Sequence, residues 1–424
     1  MRIRLAYGRK GLAIELPDKA VVTVIEPEFV PGLEDERAAL TAALASPIGC
    51  PPLRKLVHPS DTVAVVFSDL TRPMPNDRVI PALLEELART GLPDDHIVLV
   101  NALATHRAQT EVELKTMLGE AVVDRYRIVQ HNAWDEAILK PVGRNRAGRT
   151  VRVNRAYLEA SMRILTGFIE PHFFAGFSGG PKAVLPGIAD VDSILDNHGA
   201  TMLADPRATW TVTKGNPLWE ETLEIALVTK PTFLLNVTLN QARQITGVFA
   251  GDLLKAHEAG CQFARRHAIR SVPQPFDIVI TSNSGYPLDL NLYQTVKGMS
   301  AAARIVKPGG VIIIAAECWD GIPNHGEFKR LLWEARSPEE LLTRVMTPGF
   351  RCLDQWEAQV LAQIRHKASV YLYTDGLTEE EIRRSLLLPC RSVEETVEGL
   401  LQSNLKATIA VLPDGPQTVP TVAS

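Results

Sequence analysis

Three short polar clusters follow predicted strand ends in the first half of the chain. Ser68-Asp69-Leu70-Thr71-Arg72-Pro73-Met74-Pro75 holds an acid and a guanidinium, while Ala104-Thr105-His106-Arg107 and Glu170-Pro171-His172 each hold an imidazole. Imidazole titrates near neutrality and so serves as a general acid or base. Taken singly, each residue has a plain alternative. Asp69 caps the helix after its turn with Arg72 as its ion partner, His106 is a hydrogen-bonded core histidine, and His172 is a loop histidine. Their coincidence is the stronger signal, because open α/β sheets bind ligands beyond the carboxyl ends of their strands.

The stretch Phe173–Gly187 reads FFAGFSGGPKAVLPG. Gly176, Gly179 and Gly180 let the backbone approach a ligand and present bare N–H groups to an anion. The spacing is not that of a Walker loop. Lys182 follows directly, placed for a phosphate contact or a covalent attachment, or else solvated. His198, in Asp196-Asn197-His198-Gly199, carries an imidazole suited to nickel, zinc or copper. In the second half, Ser282-Asn283-Ser284-Gly285-Tyr286-Pro287 follows another strand, and then come Tyr293, Gln294 and Lys297. Gln and Lys on adjacent turns suit a carboxylate, and a solvated helix face explains them equally. Trp356 reads first as core. His58, His96, His131, His257, His267, His325 and His366 have no such company and read as structural.

These residues need a scaffold. Thr62–Phe67, His96–Ala102 and Met162–Ile169 read as buried strands, with helical spacing over Val79–Thr90 and a helix beginning at Thr110. A second alternation places strands at Phe276–Thr281, Val311–Ala316, Val370–Thr374 and Thr408–Leu412, with helices near Leu292–Val306, Glu327–Ala335, Pro338–Val345, Gln355–His366 and Thr378–Leu388. The fold class is therefore α/β: two domains with largely parallel sheets and an active-site cleft between them. The expected domains are 1–272, carrying the cofactor and catalytic residues, and 273–424, completing the substrate site, joined by a linker at Val272-Pro273-Gln274-Pro275. An N-terminal hairpin over Arg2–Leu16, a further strand over Ala20–Ile25 and a frayed tail from Pro413 complete the expectation.

With 45 basic against 49 acidic residues, the net charge of −4 gives no reason to expect a nucleic-acid partner. None of the five cysteines is spaced as CxxC, so the chain reads as a reduced, cytoplasmic protein. The longest apolar run, Val311–Ala316, is too short to span a bilayer.

Together the segments SDLTRPMP (68–75), ALATHR (102–107), EPHFFAGFSGGPKAVLPG (170–187), DNHG (196–199) and SGYPLDLNLYQTVKG (284–298) resemble the nickel-pincer lactate racemase family, in its order and over nearly the whole chain. The block 170–187 is the most specific. The resemblance implies a nickel-pincer nucleotide, a nicotinate-derived mononucleotide whose two sulfurs and one ring carbon hold nickel. It implies that Lys182 binds this cofactor through a thioamide, that His198 is the protein's nickel ligand, and that Gly176, Gly179 and Gly180 lie against the nucleotide. Asp69, on the cofactor side, orients Arg72 or a histidine. His106 and His172 become the acid/base pair, Arg72, Tyr293, Gln294 and Lys297 the substrate-binding residues, and Trp356 a pocket wall. Separate maturation enzymes supply the cofactor.

The implied reaction inverts C2 of a 2-hydroxy acid by hydride transfer through a planar 2-keto acid. This avoids removing a weakly acidic α-proton, and two histidines serve the two enantiomers. Lactate is the default substrate; the alternative within the class is a larger aromatic, dicarboxylic or sugar acid. Outside the class stand a zinc-dependent hydrolase using His106, His172 and His198, a carrier without catalysis in which His106 and His172 are dispensable, and a Schiff-base lyase using Lys182.

Overall fold

The computed structural model describes residues 1–324 and 326–423; His325, read above as structural, lies outside the described residues. The chain forms two compact units. One comprises Phe29–His198 and Asp205–Arg266, the other Met1–Glu28, Gly199–Ala204 and His267–Ser424.

The first unit is built on a six-stranded sheet. Its order is Ile245–Gly251, Phe233–Leu239, Met162–Phe168, Val63–Ser68, Ile97–Ala102, Arg127–Gln130. All neighbours are parallel except the first pair. Val63–Phe67 are completely buried, as a central parallel strand covered on both faces requires, which is why the segment is apolar without alternation. The chain starts at this central strand, runs outward through Ile97–Ala102 and Arg127–Gln130, then returns to Met162–Phe168 on the other side. The order therefore reverses between Val63–Ser68 and Met162–Phe168, and the carboxyl ends of these two strands form the switch point where such sheets bind ligands. The sequence reading located three of the six strands, and those three are adjacent around this point.

The second unit has a sheet of order Leu388–Pro389, Ser369–Tyr373, Val306–Ala315, Phe276–Ser282, Thr408–Leu412, Val21–Val24, parallel throughout. Residues 1–272 thus do not form one unit: Val21–Val24 extends the sheet of the C-terminal segment, pairing Val22 with Ile409 and Val24 with Val411. The hairpin Arg2–Leu5/Leu12–Glu15 is antiparallel, and its inward residues Ile3, Leu5 and Ile14 join the same apolar cluster as Ile280, Ile313 and Val411. Two further expectations are corrected. The segment before Pro273 is a strand, Ile269–Val272, and the tail is not frayed, because Val419–Val422 pairs with it in parallel. The ladder gives that tail backbone partners that its Pro- and Thr-rich composition does not suggest. No helix among the described residues is long and apolar enough to cross a membrane.

Candidate active site

Asp69 stands at the carboxyl end of the central strand and is 2% exposed. Its Oδ1 accepts from the Thr71 amide at 2.8 Å and the Thr71 hydroxyl at 2.6 Å, an Asx turn that folds the SDLTRP segment back on itself. Its Oδ2 pairs with His106 Nδ1. Burial alone raises a carboxyl pKa, but here His106, the nearby Arg72 charge and Thr71 outweigh it and hold Asp69 below the usual carboxylate range. An ionised Asp69 requires the proton of a neutral His106 on Nδ1, leaving the Nε2 lone pair available. His106 arrives on a tight turn in which Ala104 has φ 49° and donates to the Gly187 carbonyl at 2.9 Å.

His172 follows the neighbouring strand. Pro171–His172 and Gly176–Phe177 form a two-residue antiparallel ladder around Phe173-Phe174-Ala175. The amides of Phe174 and Ala175 donate to His172 Nδ1 at 3.4 and 3.2 Å, which places the proton of the neutral ring on Nε2. The Lys182 Nζ lies 3.5 Å from that Nε2. His198 sits at the end of helix Val191–Asn197, whose start is capped by Asp190 accepting from the Ser193 amide and hydroxyl. The Phe174 ring meets the His198 ring edge-on at 5.3 Å and the Lys182 ammonium at 5.7 Å. Burial first, then the Lys182 charge, pushes His198 down to about 3, so its imidazole stays neutral and keeps a lone pair to offer a metal.

The glycine loop differs from its expected form. Gly176, Gly179 and Gly180 have φ of 78°, 73° and 53°, so they are required by the backbone. The space a side chain would take at each is filled by protein. A Cβ would meet the Val212 carbonyl at 2.2 Å from Gly176, the Phe168 carbonyl at 2.6 Å from Gly179 and the His257 ring at 2.4 Å from Gly180. The Gly180 amide is not bare either: it donates to Asn236 Oδ1 at 2.8 Å. These glycines pack the Lys182 turn onto the sheet.

Two residues in this unit escaped sequence reasoning. Asn236 is a buried polar residue in the middle of the strand FLLNVTL, a visible anomaly once the strand is recognised. His257, read above as structural, does have company: its Nε2 lies 2.9 Å from the Ser178 carbonyl, Cys261 Sγ lies 3.3 Å from its Nδ1, and Trp219 stacks on its ring at 4.9 Å. The one-turn spacing of His257 and Cys261 was the available signal. His96, His131 and His366 have local partners in Asp61, Ala189 and Glu339 and are structural.

In the other unit, Asn291 caps helix Leu292–Ala303, accepting from the Gln294 amide at 3.1 Å. This helix carries Tyr293, Gln294 and Lys297. Lys297 Nζ donates to Gln294 Oε1 at 2.7 Å, and Trp356 Nε1 donates to the Tyr293 hydroxyl at 2.8 Å, so Trp356 is buried yet joined to this polar group.

Comparison with known proteins agrees with this architecture. Residues 7–211 match the lactate racemase N-terminal domain and residues 272–419 the lactate racemase C-terminal domain. The chain is 36% identical over 421 residues to a lactate racemase of Thermoanaerobacterium thermosaccharolyticum, covering 97% of each protein. It is 35% identical over 419 residues to a lactate racemase of Lactiplantibacillus plantarum, covering 97% of this chain and 98% of that one. The solved apoprotein structure of the T. thermosaccharolyticum lactate racemase superposes with a TM-score of 0.93 over 100% of both chains, at 35% identity. A Thermotoga maritima protein solved in a structural genomics programme shares the fold, with a TM-score of 0.69 at 19% identity, over 93% of this chain and 100% of that one. Fold and relatives together define an enzyme of the isomerase class built on two α/β units. The chain belongs to the lactate racemase family.

Proposed function

We propose that this enzyme inverts the C2 centre of a 2-hydroxy acid, with lactate as the first substrate to test, and that His106 and His172 exchange the hydroxyl proton. The observation that carries the reading is the opposite hydrogen-bonding pattern of the two imidazoles, which follow the strands on either side of Val63–Ser68. The Asp69 carboxylate leaves His106 Nε2 as a proton acceptor, and the amides of Phe174 and Ala175 leave the His172 Nε2–H as a hydrogen-bond donor. One direction of inversion needs one of each. The reverse direction uses the state that the first inversion leaves, with the roles of the two rings exchanged; a second turnover in the same direction is the one that needs proton exchange with solvent.

The residues present fit a nickel-pincer nucleotide. His198 offers a neutral buried imidazole, and Lys182 lies beside it on a turn fixed by packed glycines. Lys182 Nζ lies 3.5 Å from His172 Nε2, so a group attached at Lys182 would stand beside this imidazole. When bound, the cofactor supplies a hydride acceptor and donor for C2. By the family resemblance Arg72, Gln294 and Lys297 are assigned to the substrate carboxylate, and Tyr293 with Trp356 to the substrate's wall. A positioned carboxylate keeps the reacting centre in register with the histidines.

A zinc hydrolase needs three converging protein ligands, and among the described residues no three His, Cys, Asp or Glu side chains come together in that way. The nickel reading asks only one imidazole of the chain. Assembly is assigned to separate maturation enzymes, and the five free cysteines support a reducing cytoplasm.

The test is intact-mass and metal analysis of protein coexpressed with the maturation enzymes, followed by lactate racemisation. The expected result is one adduct on Lys182, about one nickel per chain, and loss of both adduct and activity in Lys182→Ala. Protein that stays bare despite a demonstrated cofactor supply refutes the cofactor assignment. Loaded protein that racemises a larger 2-hydroxy acid and not lactate refutes the substrate alone.

A further inference from the structure

Helix Gln355–Lys367 is buried along most of its length, and it contains an acid to which the chemistry above gives no role. Glu357 is 2% exposed, and its Oε1 has no hydrogen-bond partner among the described residues. An unsatisfied buried carboxylate is costly, so such a group is retained against a steady penalty. The Trp356–Tyr293 hydrogen bond sets the register of this helix against Leu292–Ala303, and Lys297 stands one turn beyond Tyr293.

Two charges act on Glu357. Lys297, on the packed helix Leu292–Ala303, attracts it, and Asp354, at the start of its own helix, repels it. Helices Ala200–Ala204, Phe328–Glu334 and Pro338–Val345 and strands Val306–Ala315 and Ser369–Tyr373 also pack on this helix, and no described group on them adds a charge that acts on Glu357. Burial dominates, and it pushes the Glu357 carboxyl up to about 8 despite Lys297.

We propose that Glu357 is a positioning residue that competes with the substrate carboxylate for the Lys297 ammonium. Protonated, Glu357 leaves the ammonium to the substrate. After losing its proton to solvent, it draws the ammonium back and weakens substrate binding. Neutral Gln294, already bonded to Lys297, holds the ammonium in both states. This inference rests on the assignment of Lys297 to the substrate carboxylate, and its test separates the two.

The experiment measures KM and kcat for lactate against pH in cofactor-loaded wild type, Glu357→Gln and Lys297→Met. Wild-type KM is expected to climb up to about tenfold per pH unit once Glu357 ionises, because only the protonated fraction binds substrate well. Glu357→Gln should flatten that rise, and Lys297→Met should raise KM throughout and remove its alkaline dependence. A flat wild-type KM, or a Glu357→Gln enzyme that keeps the wild-type rise, overturns the proposal and leaves the Lys297 assignment standing. A Lys297→Met enzyme with wild-type KM overturns the assignment and the proposal together. Infrared difference spectra of the apoprotein give a readout independent of turnover. They should show a protonated-carboxyl carbonyl band that is lost on raising the pH and absent from Glu357→Gln. A wild type without that band overturns the proposal even where the variant folds poorly.

Discussion

Replacing Asp69 by Asn tests the orientation of the His106 imidazole with almost no change of shape. Asp69 serves two partners at once: one oxygen takes the Thr71 amide and hydroxyl, the other takes His106 Nδ1. An amide has a single oxygen. If that oxygen stays with Thr71, the NH2 group faces His106 Nδ1 and forces the proton onto Nε2, where the lone pair is needed. If the amide flips, its NH2 group faces the Thr71 amide, two donors meet in a site 2% exposed, and the turn loses its anchor. Either way a charge-assisted hydrogen bond is lost, worth about 1.5–3 kcal/mol. That corresponds to roughly 10- to 150-fold in kcat from orientation alone. A forced wrong tautomer takes the loss toward roughly 10⁴-fold. KM should change little, because Asp69 is not placed on the substrate. The assay is initial-rate conversion of L- to D-lactate and the reverse, with nickel and adduct mass checked in the same preparation. A loaded Asp69→Asn enzyme within twofold of the wild-type kcat refutes the tautomer argument.

Three further outcomes follow from the same geometry. His198→Ala should keep the Lys182 adduct by mass and shift the absorption spectrum of the bound metal; a loaded variant with the wild-type spectrum removes His198 as the ligand. Gly180→Ala should destabilise the unit by about 1–3 kcal/mol, read as a lower Tm, because the residue has φ 53° and its Cβ would strike the His257 ring; an unchanged Tm refutes the packing role of this glycine. Asp277 holds Lys307 Nζ and the Thr408 amide and hydroxyl at 2.7–2.9 Å, and although burial opposes them these contacts lower its pKa to about 2. Its contribution, about 1–2 kcal/mol after discounting for its partial exposure, is present above the unfolded carboxyl pKa near ~4 and is lost as pH falls through about 2. Asp277→Asn should therefore lower Tm at neutral pH and converge with wild type in strong acid, and a Tm difference that persists there contradicts the linkage.

The parts of this molecule that were legible in the sequence are those whose signals are local. Val63–Phe67 is an unbroken apolar run ended by Asp69 and a proline-rich turn, so both strand and site could be read from a dozen residues. The same holds for Ile97–Ala102 with His106 and for Met162–Phe168 with His172. The edge strand Arg127–Gln130 lacks such a run, being half-exposed. Phe233–Leu239 has one, but buried Asn236 interrupts it for a reason visible only in three dimensions: its side chain anchors Gly180, more than fifty residues earlier. The glycine loop suggested an anion cradle because composition reports that a side chain is missing and does not report what fills its place. Glu357 was hidden by a different circumstance, since an acid in an amphipathic pattern reads as solvated until the helix is found buried on nearly every side.

The strand Val21–Val24 pairs with Thr408–Leu412 across almost the whole length of the chain. On the ribosome, this early segment must wait through the synthesis of the entire first unit before its neighbour exists. The second unit therefore cannot close its sheet until the last residues emerge, and this long-range pairing is slow relative to the local contacts that form the first unit. A fragment beginning near His267 would leave the Thr408–Leu412 edge unpaired and open to strand addition from another copy. A soluble C-terminal fragment would need residues 1–28 grafted back, and a permuted chain that joins them in sequence would turn the slowest pairing into a local one.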